Sequence, residues 1–326
     1  MSGGWNTIES DAGVFTSLIE NLGVKDVQFE ELLTLDPSEL ATLQPLYGVI
    51  FLFKYPTDQP YSSASGPQDG TFDHDASQSI FFAAQTIQNA CATQALLSVL
   101  MNKQQDVNIG SHLSDFREFT IELPPEFRGE ALSNSDLIRE VHNSFARSTP
   151  FADETQQQRS AESEDVFHFI AYTPVNGVLY ELDGLQPAPI SHGACTPEEF
   201  PTRVVDVLQR RIARYDATEI RFNLLAMCRD LRARAREFGD DELLAREERK
   251  RKDWLFENAL RRHNFVGFAG EVVKAVVEEK LKEGGEEGYD KWVKEGLERR
   301  KAAEKARRAG DGDVEMGDRK LRYEGK

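Results

Sequence analysis

The sequence predicts an α+β fold followed by a helical extension. Three observations support this prediction: an amphipathic helix that begins near Cys91, an apolar strand at Val49–Phe53, and two β-rich runs that flank Asn176-Gly177. From about Cys228 onwards the chain is dense in charges of both signs, which is typical of solvated helices or a coiled coil. The 326 residues, 40% of them apolar, suffice for one large domain or two smaller ones.

The charge is unevenly distributed along the chain. The net charge is −17, yet residues 1–226 hold 13 Lys and Arg against 32 Asp and Glu, whereas residues 227–326 hold 26 against 24. Because a nucleic-acid ligand requires a basic face, this acidic body argues against such a partner. It favours a basic partner instead, or serves solubility alone.

The composition also predicts the compartment. Three cysteines in a chain of this length make no disulfide framework, and no basic-then-apolar leader opens the sequence. No apolar run approaches the roughly 20 residues of a membrane-spanning helix. We therefore expect a soluble intracellular protein without a membrane partner.

Neither a metal nor a cofactor is expected. His192 and Cys195 are three residues apart and Cys228 lies far along the chain, so four zinc ligands are not in view. The sequence has no G-x-S-x-G nucleophile elbow, no P-loop and no dinucleotide-binding fingerprint.

Local signals predict several further elements. Ser10-Asp11 begins a short helix, and Gly23 ends it. Residues 56–79, rich in Pro, Ser, Asp and Gly, are predicted to form an exposed loop, and Ser133–Ala146 a helix. The polar segment Ser148–Asp165 is long for a structureless connection, so it is either functional or disordered.

Cys91 is the first candidate functional residue. Ala92, Ala95 and Leu96 continue an apolar helical face after it, and Asn89 is the expected N-cap, which places Cys91 in the first turn. The positive end of the helix dipole favours thiolate over thiol there, as a nucleophile requires. The alternative is a small buried hydrophobic residue.

The two β-rich runs predict a hairpin that brings His168 close to Asp183. A two-residue turn at Asn176-Gly177 places the two residues diagonally, and a four-residue turn from Pro174 to Gly177 places them directly opposite. Either register puts both side chains on one face, because side chains alternate with a period of two. The alternatives are a half-buried histidine in a strand and an aspartate in a turn.

Together these residues form a nucleophile, a base and a group that orients the base. Cys91 would attack a carbonyl carbon, His168 would hold the thiolate and protonate the leaving amine, and Asp183 would fix the imidazole tautomer. The Cys91 N–H and the Gln85 side-chain amide are candidate donors to the oxyanion. The alternative for Gln85 is a helix or loop residue with no catalytic role.

With these motifs in place, the chain resembles the ubiquitin C-terminal hydrolases, a family of papain-like cysteine peptidases. The resemblance covers essentially all of residues 4–226, with the motifs in the family's order. The matching motifs are Trp5, Glu9-Ser-Asp11, Tyr47–Phe53, Gln85 with Asn89–Gln94, Leu132–Asp136, Phe167–Phe169, Leu179–Gly184 and Arg221–Leu225.

The resemblance implies roles for individual residues. The catalytic roles fall on the four residues already singled out, Gln85, Cys91, His168 and Asp183. Substrate binding falls on Trp5, Glu9 and Asp11 and on Ser148–Asp165, a loop that crosses over the active site and restricts which leaving groups can enter.

The resemblance also implies the architecture. Residues 1–227 would be the catalytic domain, a knotted papain-like fold with a central antiparallel sheet flanked by helices. Residues 228–326 would be a helical, partly disordered extension for partner binding, loosely ordered from about Glu283. Arg261–Phe265 and the apolar helix after it look like the long, proteasome-associated member, whose extension docks onto a proteasomal ubiquitin receptor.

The sequence thus predicts a deubiquitinating thiol hydrolase, cytoplasmic and nuclear, that cleaves after the C-terminal glycine of ubiquitin through a thioester. Its expected partners are ubiquitin, ubiquitin conjugates and the proteasomal receptor. Two alternatives stay open. One is a ubiquitin-binding adaptor of the proteasome or of chromatin with little activity of its own, and the other is a papain-like protease of ordinary peptides.

Overall fold

The computed structural model describes residues 4–55, 66–146, 167–216 and 219–321. Within them, seven strands form one antiparallel sheet, and helices pack on both of its faces. The predicted α+β class, with a central antiparallel sheet flanked by helices and a helical C-terminal region, is confirmed.

Helices and strands are mixed along the described chain. The helices run over Ala12–Asn21 (α1), Pro37–Thr42 (α2), Ala76–Ser79 (α3), Cys91–Leu100 (α4), Gly110–Thr120 (α5), Pro125–Ser133 (α6), Asp136–Asn143 (α7), Phe200–Ile212 (α8), Leu231–Phe238 (α9), Asp241–Arg262 (α10) and Val266–Leu321 (α11). The strands are Val27–Glu31 (β1), Leu46–Lys54 (β2), Thr71–Phe72 (β3), Phe167–Val175 (β4), Val178–Leu182 (β5), Ile190–Ala194 (β6) and Asn223–Arg229 (β7).

The sheet places β4 at its centre, in the order β1-β7-β2-β4-β5-β6-β3. Successive residues of its strands point to opposite faces. Ile50 and Phe169 join the apolar cluster that contains α1 and α4, whereas Phe51 and Ile170 join the cluster that contains α2 and α8. Because both faces are covered, β2 and β4 carry the nearly continuous apolar sequence of fully buried strands.

The first helix begins and ends where the sequence predicts. Asp11 is its N-cap, and the Asp11 carboxylate accepts a hydrogen bond from the Val14 N–H at 2.9 Å. Phe15 and Leu18 have no exposed surface, so the apolar face of α1 faces the core. Gly23, with φ +97°, turns the chain after the helix in a conformation that favours glycine.

Two segments differ from their predictions. The region 56–79, expected to be a loop, contains β3, which pairs with β6, and also α3; residues 56–65 lie outside the described part. The helix expected over Ser133–Ala146 begins later, as α7. It does so because the Ser135 hydroxyl accepts from the Ile138 N–H and caps it, while Ser133 ends α6.

The chain forms two compact units, one ending at His263 and the other beginning at Asn264. The catalytic-domain boundary that the sequence predicts after residue 227 falls within β7 and stays a prediction. The compact unit continues past it, because α10 packs against both α1 and α9. Within this part of the unit, Leu231 and Ala235 of α9 and Arg251 of α10 are buried.

The second unit consists largely of α11. Its backbone leaves helical geometry at Gly285, where φ is 61°. Loose order is predicted from about Glu283, whereas the chain is helical there as far as Leu321. The physical reason is that Ala, Glu, Lys and Arg, which are abundant in this stretch, have high helix propensity.

The loop predicted at Ser148–Asp165 lies outside the described residues, so no crossing of the chain over the active site is described. The knot therefore stays a prediction. In the described part of the chain, no helix combines the length and the apolar character that a membrane span requires.

Candidate active site

Cys91 is the first residue of α4. A short 3-10 turn over Gln88–Ala90 leads into the helix, and no described side chain caps its first turn. The positive end of the α4 dipole at that turn favours an anion. The rest of α4 is buried, and Cys91 is 9% exposed, so a rigid element holds the thiol at its end.

Asn89 does not have its predicted role as the N-cap of α4. The N-cap is Ala90, because residue 89 already lies inside the 3-10 turn. The Asn89 side-chain amide instead donates to the backbone carbonyl of Trp5 at 3.0 Å. Asn89 therefore ties the segment before Cys91 to the N-terminal region.

The predicted hairpin forms with the shorter of the two turns. Val175 pairs with Val178 across a two-residue turn in which Asn176 and Gly177 have φ of 51° and 79°. Two consecutive positive φ values are the type I′ pattern that matches the twist of a hairpin. The turn fixes the register of β4 and β5 and therefore the positions of the residues at their far ends.

This register places His168 diagonally from Asp183, which directly follows β5. The His168 Nε2 lies 2.7 Å from the Asp183 Oδ1, and the two residues are 3% and 1% exposed. The predicted juxtaposition of histidine and carboxylate is confirmed. Cys91 neighbours the same ring closely enough to contribute to the pKa of His168.

The surroundings of His168 keep it protonated. Burial alone would lower the pKa of His168, but the Asp183 carboxylate, its hydrogen bond and the contact with Cys91 raise it to about 9. The imidazolium is thus the form at neutral pH, and it stabilises a neighbouring thiolate. Phe53 and Tyr55 each meet the ring edge-on at 5.8 Å between centroids and limit its rotation.

Two interactions that the sequence reasoning missed hold Asp183 in place. The Leu185 N–H donates to the Asp183 Oδ1 at 3.0 Å, and the Gln186 side-chain amide lies 3.4 Å from the Oδ2. An aspartate that accepts from the N–H two residues on forms an Asx turn. In the sequence, the Asp183-Gly184 pair directly after a strand is the signal that could have predicted this turn.

Gln85 lies at the same cleft as His168. The cleft, of about 340 Å³, is lined by Tyr55, Gln85, Thr86, Ile87, Phe167, His168 and Leu185. The backbone N–H of Gln85 donates to the Gly184 carbonyl at 2.7 Å, directly beside Asp183. The structure therefore brings Gln85 and the histidine–aspartate pair to one place.

The residues predicted to bind substrate are placed differently from one another. Trp5 has no exposed surface and its indole N–H donates to the Ser133 carbonyl at 3.3 Å, so in this conformation it supports the core instead of contacting a substrate. Glu9 and Asp11 keep 29% and 28% side-chain exposure, and both are paired with Arg261. The loop Ser148–Asp165 lies outside the described residues.

The other two cysteines are poor candidates for a nucleophile. Cys195 is 1% exposed and Cys228 is fully buried, and burial raises the pKa of both thiols. A thiol that resists ionisation is a weak nucleophile. Among the described residues, no cluster of three or more His, Cys, Asp or Glu could hold a metal ion.

A cysteine at a helix start, beside a histidine that a buried carboxylate orients, is the arrangement of a cysteine peptidase. The chain belongs to the ubiquitin C-terminal hydrolases. Residues 5–213 match the family described as ubiquitin carboxyl-terminal hydrolase, family 1, and residues 241–281 match a second family model of ubiquitin carboxyl-terminal hydrolases. The protein is a cysteine-type deubiquitinase by family.

Similar proteins agree with this assignment. Ubiquitin carboxyl-terminal hydrolase 2 of Schizosaccharomyces pombe is 54% identical over 284 residues, which cover 85% of this chain and 92% of that protein. The hydrolase ubh-4 of Caenorhabditis elegans is 39% identical over 298 residues, covering 85% of this chain and 89% of that protein.

Solved structures show the same fold. The UCH37 catalytic domain of Trichinella spiralis, solved bound to ubiquitin vinyl methyl ester, is 36% identical with a TM-score of 0.58 over 69% of this chain and 96% of that one. The longer UCH37 of the same organism, bound to the same ligand, is 33% identical with a TM-score of 0.60 over 79% of this chain and 99% of that one.

Proposed function

We propose that Cys91, His168 and Asp183 hydrolyse the bond after the C-terminal glycine of ubiquitin. The observation that supports this most is the buried 2.7 Å contact of His168 with Asp183, on a ring whose pKa the neighbouring Cys91 also raises. This arrangement provides a nucleophile, a proton carrier and the group that orients it.

The chemistry follows from these positions. The Cys91 thiolate attacks the carbonyl carbon of the glycine, and the oxyanion that forms accepts hydrogen bonds from the Cys91 N–H and the Gln85 side-chain amide. The intermediate collapses as the His168 imidazolium protonates the leaving amine, which leaves a thioester. Neutral His168 then takes a proton from water as the water oxygen attacks the thioester carbonyl carbon. The C–S bond breaks, which releases the C-terminal carboxylic acid of ubiquitin and leaves the Cys91 thiolate beside the His168 imidazolium, the resting pair.

Ubiquitin is the substrate that the observations favour. Both similar structures hold ubiquitin vinyl methyl ester, a ubiquitin with a reactive C-terminus. The basic tail of ubiquitin complements the acidic body of this chain, and Glu9 and Asp11 present partly exposed carboxylates.

One experiment tests the reaction. The protein is incubated with a fluorogenic ubiquitin C-terminal amide and, separately, with ubiquitin vinyl methyl ester. We expect turnover and a covalent adduct, both lost in Cys91→Ala and both kept in Cys195→Ala, the matched control. Binding of ubiquitin without turnover or adduct would support the adaptor, and turnover of short peptides would support the general protease.

We further propose that the C-terminal extension recruits the enzyme to the proteasome in the cytoplasm and nucleus. The match over residues 241–281 supports a dedicated function for this region. α11 exposes several large apolar side chains that soluble helices usually bury: Val266, Phe268, Val272, Val273, Val276, Leu281, Trp292 and Leu297.

Full-length variants test the recruitment. Phe268→Glu combined with Val273→Glu places two charges on the apolar side chains of α11, and Lys274→Glu changes the charge of the same helix without touching them. We expect the first variant to lose co-purification with proteasomes and Lys274→Glu to retain it, with ubiquitin-amide turnover equal in both. Retention by the double variant would contradict the assignment.

A further inference from the structure

The segment that carries Gln85 has no regular secondary structure, and the strands of the described sheet do not pair with it. Residues 80–85 run between α3 and the 3-10 turn before Cys91. An unpaired backbone inside a protein must find other hydrogen-bond partners. In this segment, side chains supply most of them.

The first half of the segment is fixed by two side chains. The Asn102 side chain bonds to both the N–H and the carbonyl of Phe81, at 2.8 and 2.9 Å. Arg128, 1% exposed, donates to the carbonyls of Ile80 and Phe82 at 2.9 and 3.1 Å. These contacts position the chain three or more residues before Gln85.

Gln94 fixes the half that is closer to Gln85. Its side-chain Nε2 donates to the Ala83 carbonyl at 2.6 Å, and the residue is only 5% exposed. Gln94 lies on α4 three residues after Cys91. The same rigid helix therefore carries the thiol and holds the segment that presents Gln85.

Gly184 brings the loop after Asp183 into the same contact. A Cβ atom at residue 184 would lie 2.1 Å from the Gln94 Nε2 and 3.0 Å from the Gln85 backbone nitrogen. The absence of a side chain lets the Gly184 carbonyl accept the Gln85 N–H at 2.7 Å. The amide of Gln94 thus lies where the cysteine helix, the Gln85 segment and the Asp183 loop meet.

We propose that Gln94 is a positioning residue for the reaction, setting the place of the Gln85 amide relative to Cys91. This inference rests on the oxyanion role proposed for Gln85. An oxyanion donor acts only where its hydrogen meets the developing charge, so a small displacement of its backbone weakens it. Gln94 does not touch the substrate; it acts through Ala83 and Gln85.

The test uses the full chain with Gln94→Met, which keeps the volume of the side chain and removes the donor. We expect kcat for the ubiquitin amide to fall about ten- to a hundredfold, with KM within about twofold of the parent value. The rate of Cys91 alkylation by iodoacetamide as a function of pH should stay unchanged, because that reaction needs no oxyanion donor. Gln104→Met, at an exposed glutamine, is the matched control.

A double-mutant cycle with Gln85→Ala separates the two proposals. In the Gln85→Ala background, Gln94→Met should lower kcat by less than about twofold, because the group it positions is gone. If both substitutions lower kcat and their effects multiply, the positioning role is wrong. If Gln85→Ala alone leaves kcat unchanged, the oxyanion role of Gln85 fails instead.

A second variant covers the case in which Gln94→Met does not fold. Gly184→Ala inserts a methyl group against the Gln94 amide from the opposite side. We expect the same signature, a lower kcat with an unchanged alkylation profile and no further loss in the Gln85→Ala background. An altered alkylation profile in either variant would overturn the inference, since it would place the effect at the cysteine–histidine pair.

Discussion

Arg261 forms an ion pair with Asp11 across 250 residues of sequence, with 2.7 Å between the Arg261 Nη2 and the Asp11 Oδ2. The Arg261 Nε lies 3.0 Å from the Glu9 carboxylate. Asp11 also caps α1 through its other oxygen, so the arginine binds a carboxylate whose position is already fixed. The last turn of α10 thus occupies the two carboxylates that the sequence predicts to bind substrate.

This pairing predicts that Arg261 competes with the substrate. Arg261→Ala should raise kcat/KM for the ubiquitin amide by about two- to fivefold at low salt, the range that a partly exposed ion pair supports. Lys252→Ala, at an exposed lysine of the same helix, removes the same charge and should leave kcat/KM unchanged. A fall in kcat/KM in Arg261→Ala would mean that the pair stabilises the fold and that Glu9 and Asp11 do not meet the substrate.

Asp183 controls the pH range of the cysteine–histidine pair. The pKa of His168 is raised to about 9, so the imidazolium is present below that pH and is lost as the pH rises through it. Asp183→Asn removes the carboxylate charge and leaves burial, which lowers the pKa of His168. In the rate of Cys91 alkylation by iodoacetamide measured against pH, the alkaline limb reports the loss of the imidazolium. We expect its midpoint to move to a pH lower by at least about one unit in Asp183→Asn.

The matched control for this pH profile is Asp206→Asn, at an exposed aspartate of α8. Its alkaline limb should coincide with that of the parent protein. An alkaline limb that stays near pH 9 in Asp183→Asn would show that another group sets the protonation of the ring.

The acidic body predicts that association with ubiquitin depends on salt. Residues 1–226 carry 32 acidic against 13 basic residues, and opposite charge speeds the encounter of partners. We expect kcat/KM for the ubiquitin amide to fall roughly tenfold between about 0.05 and 0.5 M salt, with kcat nearly constant. Alkylation of Cys91 by neutral iodoacetamide is the control that salt leaves unchanged. A kcat/KM independent of salt would leave the charge to serve solubility alone.

The elements that the sequence predicts correctly are those set by the turn type and the apolar period of a short segment. The hairpin was predictable because Asn176-Gly177 marks a two-residue turn and the period of two then fixes the shared face of His168 and Asp183. The helix after Cys91 follows equally from its apolar period. The N-cap at Asn89 was wrong because residue 89 lies inside a 3-10 turn that makes Ala90 the N-cap, and the Asn89 amide donates to the Trp5 carbonyl instead.

The remainder of the site depends on contacts between distant residues. Gln94 bonds to Ala83 and Arg261 to Asp11 only after the chain has folded, and neither pair has a spacing that a single sequence reveals. The same holds for Glu181 and Arg211, which form a buried ion pair across 30 residues of sequence. An amphipathic pattern locates a face but does not say which polar side chain on another element will meet it.

The Glu181–Arg211 pair stabilises the catalytic unit from within. The Glu181 Oε1 lies 2.5 Å from the Arg211 Nη1, and the two side chains are 6% and 9% exposed, respectively. The Tyr172 hydroxyl donates to the same carboxylate at 3.0 Å. Burial alone would raise the pKa of Glu181, but Arg211 and the neighbouring donors lower it to about 2. The stabilisation is therefore present above the ordinary glutamate pKa and is lost as the pH falls towards about 2.

Removing one partner should cost more than removing both. Glu181→Gln leaves the Arg211 charge buried without its counter-charge, and we expect the free energy of unfolding in urea to fall by about 3–5 kcal/mol at pH 7. Arg211→Met added to Glu181→Gln should recover part of that loss, because no buried charge then remains. Glu199→Gln, at an exposed glutamate, should change stability by less than about 0.5 kcal/mol. Equal losses in Glu181→Gln and in the double variant would show that packing, and not charge pairing, sets the contribution of these residues.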